Sequence, residues 1–111
     1  MNLQQLRERL AKGFYIDNLY EMVRLCKSLA LATNRPAPFF VMQHIFFNIA
    51  RYWEDKPIVV EEARLVELEI AKPLEDLISG IEANASNEQI LNLLNRVISA
   101  YLFLFPEPIF P

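Results

Sequence analysis

Apolar residues recur along this chain at intervals of three and four, the spacing that lines one face of an α-helix, and nowhere do they alternate as in a β-strand. The first such segment, about Asn2 to Ala11, sets Leu3, Leu6 and Leu10 on one side and weakens at Gly13. The second, about Asn18 to Ala32, carries a stripe of Leu19, Met22, Val23, Cys26, Leu29 and Ala30. Asn18 followed by Glu21 resembles a capping box, with Asn in the Ser/Thr role. The run Thr33-Asn34-Arg35-Pro36-Ala37-Pro38 then breaks the pattern, because each proline pushes the residue before it out of the helical region.

A third segment, about Ala37 to Glu54, is the most apolar, and the proline of Glu54-Asp55-Lys56-Pro57 stops it. The fourth runs from about Val60 to Glu82, with Ala63, Val66, Ile70, Leu74, Leu77, Ile78 and Ile81 facing inward. Glu61 and Glu62 fall in its first turn, where the helix dipole favours acids. Pro73 falls inside it, which predicts a kink or a break near Glu69. The last segment opens on Ser86-Asn87-Glu88-Gln89, a capping box of the S-x-x-Q kind, and its stripe is Ile90, Leu93, Leu94, Val97, Ala100, Tyr101 and Leu104. Alternating prolines make the end, Phe105 to Pro111, extended, with Ile109 and Phe110 apolar enough to dock on the helices.

The pattern predicts an all-α, single-domain protein over residues 1–111: a mostly antiparallel four-helix bundle with a short extra N-terminal helix and an extended Pro-rich C-terminal tail. Composition narrows the class. Hydrophobic residues at 53% and a net charge of −3 are wrong for a disordered chain. One cysteine excludes a disulfide framework, one histidine with it excludes the usual structural zinc sites, and two glycines leave no phosphate-cradling loop. No cofactor is expected. The charge is uneven: residues 1–56 hold eight Lys/Arg against five acids, residues 57–111 three against nine. That asymmetry fits two halves whose rims complement one another, an acidic face that meets a basic partner, or a head-to-tail homo-oligomer.

Candidate chemistry is sparse. His44, the single histidine, has Phe40, Val41, Phe47 and Asn48 at the helical neighbour positions, so no acid orients it as a base. Cys26 falls in a core stripe, where free cysteines are commonly inert. No Glu-x-x-His pair of the di-metal bundles occurs. The expectation is a protein that is not an enzyme.

Two features are out of place. Glu67 falls between Ala63, Ile70, Ala71 and Leu74 on the face that should be buried, where a carboxylate needs a partner. Either the bundle is open there, or an arginine such as Arg64 or Arg51 pairs with it, or Glu67 reads the polar end of a bound ligand. In the third segment, Phe39, Met42, Ile45, Phe46, Ile49, Ala50 and Trp53 already complete a core stripe. Phe40 and Phe47 lie on another face, beside Gln43, His44, Arg51 and Glu54, and would expose an apolar patch. Another part of the chain covers that seam, or it is a dimer interface with aromatic anchors and an arginine, or it lines an apolar ligand site.

The basic residues are scattered and the helix after the proline break is too apolar to read base edges, so nucleic acid is not an expected partner. No apolar run reaches ~18 residues, and no helix carries the Lys/Arg-rich face of an interfacial segment, so neither is a membrane. Without an apolar leader at the N-terminus and with a lone cysteine, the expected location is cytoplasmic. The sequence therefore points to a non-catalytic interaction module, self-associating as a homodimer or binding another protein through Phe40, His44, Phe47 and Arg51. The alternative is a binder of a small apolar or amphipathic ligand in the bundle core, with Glu67 in the site.

Overall fold

A computed structural model describes residues 3–55 and 60–106. Within them the chain forms five helices and no strand: α1 (Gln4–Ala11), α2 (Ile16–Ala32), α3 (Ala37–Glu54), α4 (Val60–Glu82) and α5 (Asn87–Leu104). They form one compact all-α globule with a radius of gyration of 13.4 Å. The proline-rich tail expected at the C-terminus is described only as far as Pro106; Ile109 and Phe110 lie outside the described residues.

The helices pair as α2 with α3 and α4 with α5; α1 packs against α2 and α4, and α3 touches α5. Along α3 and α5 the contacts keep one offset. Asn48 Nδ2 donates to Tyr101 Oη at 3.2 Å, the Tyr52 and Phe105 rings meet at 5.2 Å, and Pro38 and Leu91 line a common groove. Each pair is 53 residues apart, so α3 and α5 run parallel. The Phe39 to Trp53 stripe of α3 is buried in full, as its spacing predicts, and supplies the centre of the core. Burying each large apolar side chain there contributes ~1.5–3 kcal/mol.

The short links explain the hairpins. Between α4 and α5, Asn84 adopts φ 55°, its N–H donates to Ile81 O at 3.0 Å, and the Ala85 N–H donates to Gly80 O at 2.9 Å. This is a Schellman closure with asparagine in the left-handed position. Ser86 then caps α5 as expected, its Oγ accepting the Gln89 N–H at 3.2 Å while Gln89 Oε1 accepts the Ser86 N–H at 2.9 Å.

Two expectations are corrected. Of the kink or break expected near Glu69, the break does not occur: α4 is one helix from Val60 to Glu82. Val66, Ile70, Leu74 and Leu77 are buried on both sides of the proline, and this packing holds the two halves on a single stripe despite the hydrogen bond lost at Glu69. Asn18 is not the cap of α2, which begins two residues earlier after Tyr15. Asn18 is 1% exposed, the one buried polar residue among those described, and it turns back towards α1. The pattern of Asn followed by Glu three residues on did not separate a cap from a first-turn residue that serves the preceding helix.

Candidate functional site

Glu67 and the α1–α2 turn account for one of the misplaced polar groups. At the end of α1, Gly13 takes φ 100° and donates to Leu10 O at 3.3 Å, as in the first half of a Schellman closure. The second half would run from the Phe14 N–H to Arg9 O. Instead, the Phe14 N–H goes to Glu67 Oε1 at 2.8 Å, while Asn18 Nδ2 donates to Arg9 O and to Gly13 O, each at 2.6 Å. Side chains from α4 and α2 thus take the two ends of the missing bond. Neither arginine considered from sequence is the partner of the carboxylate in this contact; the partner is a backbone N–H. A Cβ on Gly13 would come within 2.8 Å of Glu67 Oε1, so glycine is required both for its φ and for its lack of a side chain. At the other end of α1, Arg7 reaches Glu82 at 2.6 Å and Ser79 Oγ at 3.2 Å, so α1 lies antiparallel along α4.

Cys26 is buried in the α2 stripe, and burial pushes its thiol up to about 12. A thiol held protonated is a packing group there. Among the described residues no three His, Cys, Asp or Glu side chains gather as metal ligands would.

The seam on α3 is open. Phe40 is 57% exposed and Phe47 38%, with exposed His44 between them on the same face. The Phe40 and His44 rings pack edge to face with centroids 4.8 Å apart, and with Phe47 and Gln43 they line a shallow depression. The Arg51 guanidinium lies 5.9 Å from the centre of the Phe47 ring, a cation–π distance. From α2, the Tyr20 ring meets the edge of Phe47 at 6.2 Å, and its hydroxyl donates to Glu54 at 2.6 Å. Glu54 in turn lies 3.5 Å from Arg51 Nε. The carboxylate beside it pushes the Tyr20 hydroxyl above its ordinary pKa. Tyr20 and Glu54 therefore fix the two side chains at one end of the seam. The four residues named from sequence, Phe40, His44, Phe47 and Arg51, share this one surface, and Glu67 belongs to the distant α1–α2 corner.

Sequence reasoning missed a second exposed apolar feature, on α5. Leu91 and Leu102 on α5, both 55% exposed, recur at helical spacing with half-buried Ile98 between them. Leu91 lines an apolar groove of ≈ 390 Å³ with Pro36, Pro38, Ile90 and Leu94, where the starts of α3 and α5 come together. Arg35 closes that groove at one end, and its Nη2 is shielded from solvent with no hydrogen-bond partner among the described residues. The signal was present as Leu91 outside the α5 core stripe, but only the parallel α3–α5 pairing puts it beside Ala37 and Pro38. Comparison with known protein families, with curated proteins and with solved structures finds no match to this chain.

Proposed function

We propose that this chain is a non-catalytic, cytoplasmic interaction module that self-associates as a homodimer through the α3 face of Phe40, His44, Phe47 and Arg51. In this reading its four longer helices form a mostly antiparallel four-helix bundle, with α1 laid along α4 as a short extra helix. The observation that carries the proposal is the exposure of two phenylalanines on the outer face of a helix whose inner stripe is buried, one of them under an arginine. Aromatic rings and arginine are the side chains in which protein interfaces are enriched, and single chains seldom leave such patches to water. Behind the face every α3 residue of the inner stripe is buried, so docking orders few groups.

The α3 face also suits self-pairing. A two-fold axis across α3 near His44 sets Phe40 of one copy against Phe47 of the other, and such an isologous pairing closes after two copies. The core-ligand alternative has less support, because the Glu67 oxygen that would read a polar group already accepts the Phe14 N–H. Sedimentation velocity tests the proposal. Phe47→Glu is expected to be monomeric with an unchanged far-ultraviolet circular dichroism spectrum; a variant that still sediments as a dimer refutes it.

A further inference from the structure

We infer that the groove between the starts of α3 and α5 receives the C-terminal segment Glu107-Pro108-Ile109-Phe110-Pro111 of a second copy of this chain, with Glu107 meeting Arg35. The inference rests on the homodimer proposed above, whose geometry it extends.

The chemistry of the groove fits this segment. Among the described residues its walls are mostly aliphatic and prolyl side chains, Pro36, Pro38, Ile90, Leu91 and Leu94, with Asn87 the neutral polar residue and Arg35 the one charged residue of the lining. Nη1 of Arg35 reaches Asn84 Oδ1 only at 3.5 Å, and Nη2 has no partner among the described residues, so the guanidinium has capacity for a carboxylate. An occupant should therefore be an acid next to an apolar run. Glu107 followed by Pro108, Ile109 and Phe110 has that order, and the prolines lower the ordering cost of binding it.

Reach makes the contact intermolecular. Phe105 is buried against Tyr52 and Tyr101 at the far end of the parallel α3–α5 pair, which fixes where the segment starts. From Leu104 back to Leu91 is thirteen helical residues, about 20 Å. Phe110 lies four residues beyond Pro106, about 14 Å when fully extended. A copy cannot lay its own Phe110 on its own Leu91. Two-fold pairing across α3 near His44 reverses the second copy, which brings the Pro106 end of each copy beside the Arg35 end of the other.

The test compares dimer dissociation constants, by analytical ultracentrifugation, for the full chain, a chain ending at Pro106, Arg35→Glu, and Arg35→Glu combined with Glu107→Arg. Circular dichroism checks that each is folded. The truncation and Arg35→Glu are each expected to weaken the dimer by about tenfold or more, as loss of a buried anchor does, and the charge-reversed pair to recover most of it. A truncated chain that dimerises as tightly as the full one overturns the inference and leaves the α3 interface intact. A full chain that is dimeric but indifferent to Phe47→Glu, yet weakened by truncation, removes the α3 interface and keeps the groove. A full chain that is monomeric removes both.

Discussion

Glu67 Oε1 accepts the backbone N–H of Phe14 at 2.8 Å, directly over Gly13, so that a carboxylate from α4 closes the turn between α1 and α2. This single contact ties three helices together and explains why an acid stands on the inner face of α4. The turn needs an acceptor there because its own carbonyl, Arg9 O, is occupied by Asn18.

Removing that acceptor leaves a backbone donor without a partner in a part-buried position, which costs ~1–3 kcal/mol. Glu67→Ala is expected to lower stability by that amount. Glu67→Gln keeps an oxygen and should recover most of it. Urea unfolding midpoints of the two variants check this, and equal midpoints would contradict it.

The two glycines should behave differently. Gly13→Ala forces an L side chain into φ 100° and pushes a Cβ against the carboxylate, so the expected loss is at least about 1–2 kcal/mol. Part of that loss should vanish in a Glu67→Ala background, because the two sites are coupled. At Gly80 the obstacle is Leu93 Cδ1 at 2.5 Å, the end of a flexible side chain, and the backbone is helical. Gly80→Ala gains about 1 kcal/mol of helix propensity, which offsets the shift of Leu93. Its thermal midpoint is expected to stay close to that of the parent.

Burial holds the Cys26 thiol protonated, pushed up to about 12. Its labelling by iodoacetamide at mildly alkaline pH should therefore proceed only through unfolding and accelerate with urea. Labelling at the rate of a free thiol in native buffer would show that α2 opens readily.

The proposed dimer should be sensitive to charge at position 44. In a two-fold pairing centred near His44, residue 44 of one copy approaches residue 44 of the other, with Arg51 close by on the same face. His44→Lys then sets fixed like charges together at the interface and is expected to weaken association, whereas His44→Gln is expected to leave it nearly unchanged. Dissociation constants of the two variants by sedimentation check this, and equal constants would contradict it.

Much of the fold was legible from spacing. The α3 range and its complete core stripe, and the Ser86 capping box, follow from local rules, because helix period and caps depend on near neighbours in sequence. What was not legible depended on contacts distant along the chain. Phe14 belongs to no stripe yet is buried, its ring 6.0 Å from Phe46. Asn18 and Glu67 looked like a cap and a misplaced acid, and both turned out to serve one turn that neither adjoins in an obvious way. At the α3 face, the seven-residue spacing of Phe40 and Phe47 was enough to locate the exposed patch. Tyr20, which borders it, and the groove at Leu91 could be placed only once α2 and α5 had been set beside α3.

The most direct test of the proposed function is native mass spectrometry of the full chain from near-neutral buffer over a dilution series, alongside Phe47→Glu. A bare dimer that persists at low micromolar concentration and disappears in Phe47→Glu is the expected result. A bare monomer throughout, or a monomer that carries extra non-polypeptide mass, would contradict the homodimer, and the second would turn attention to a bound ligand.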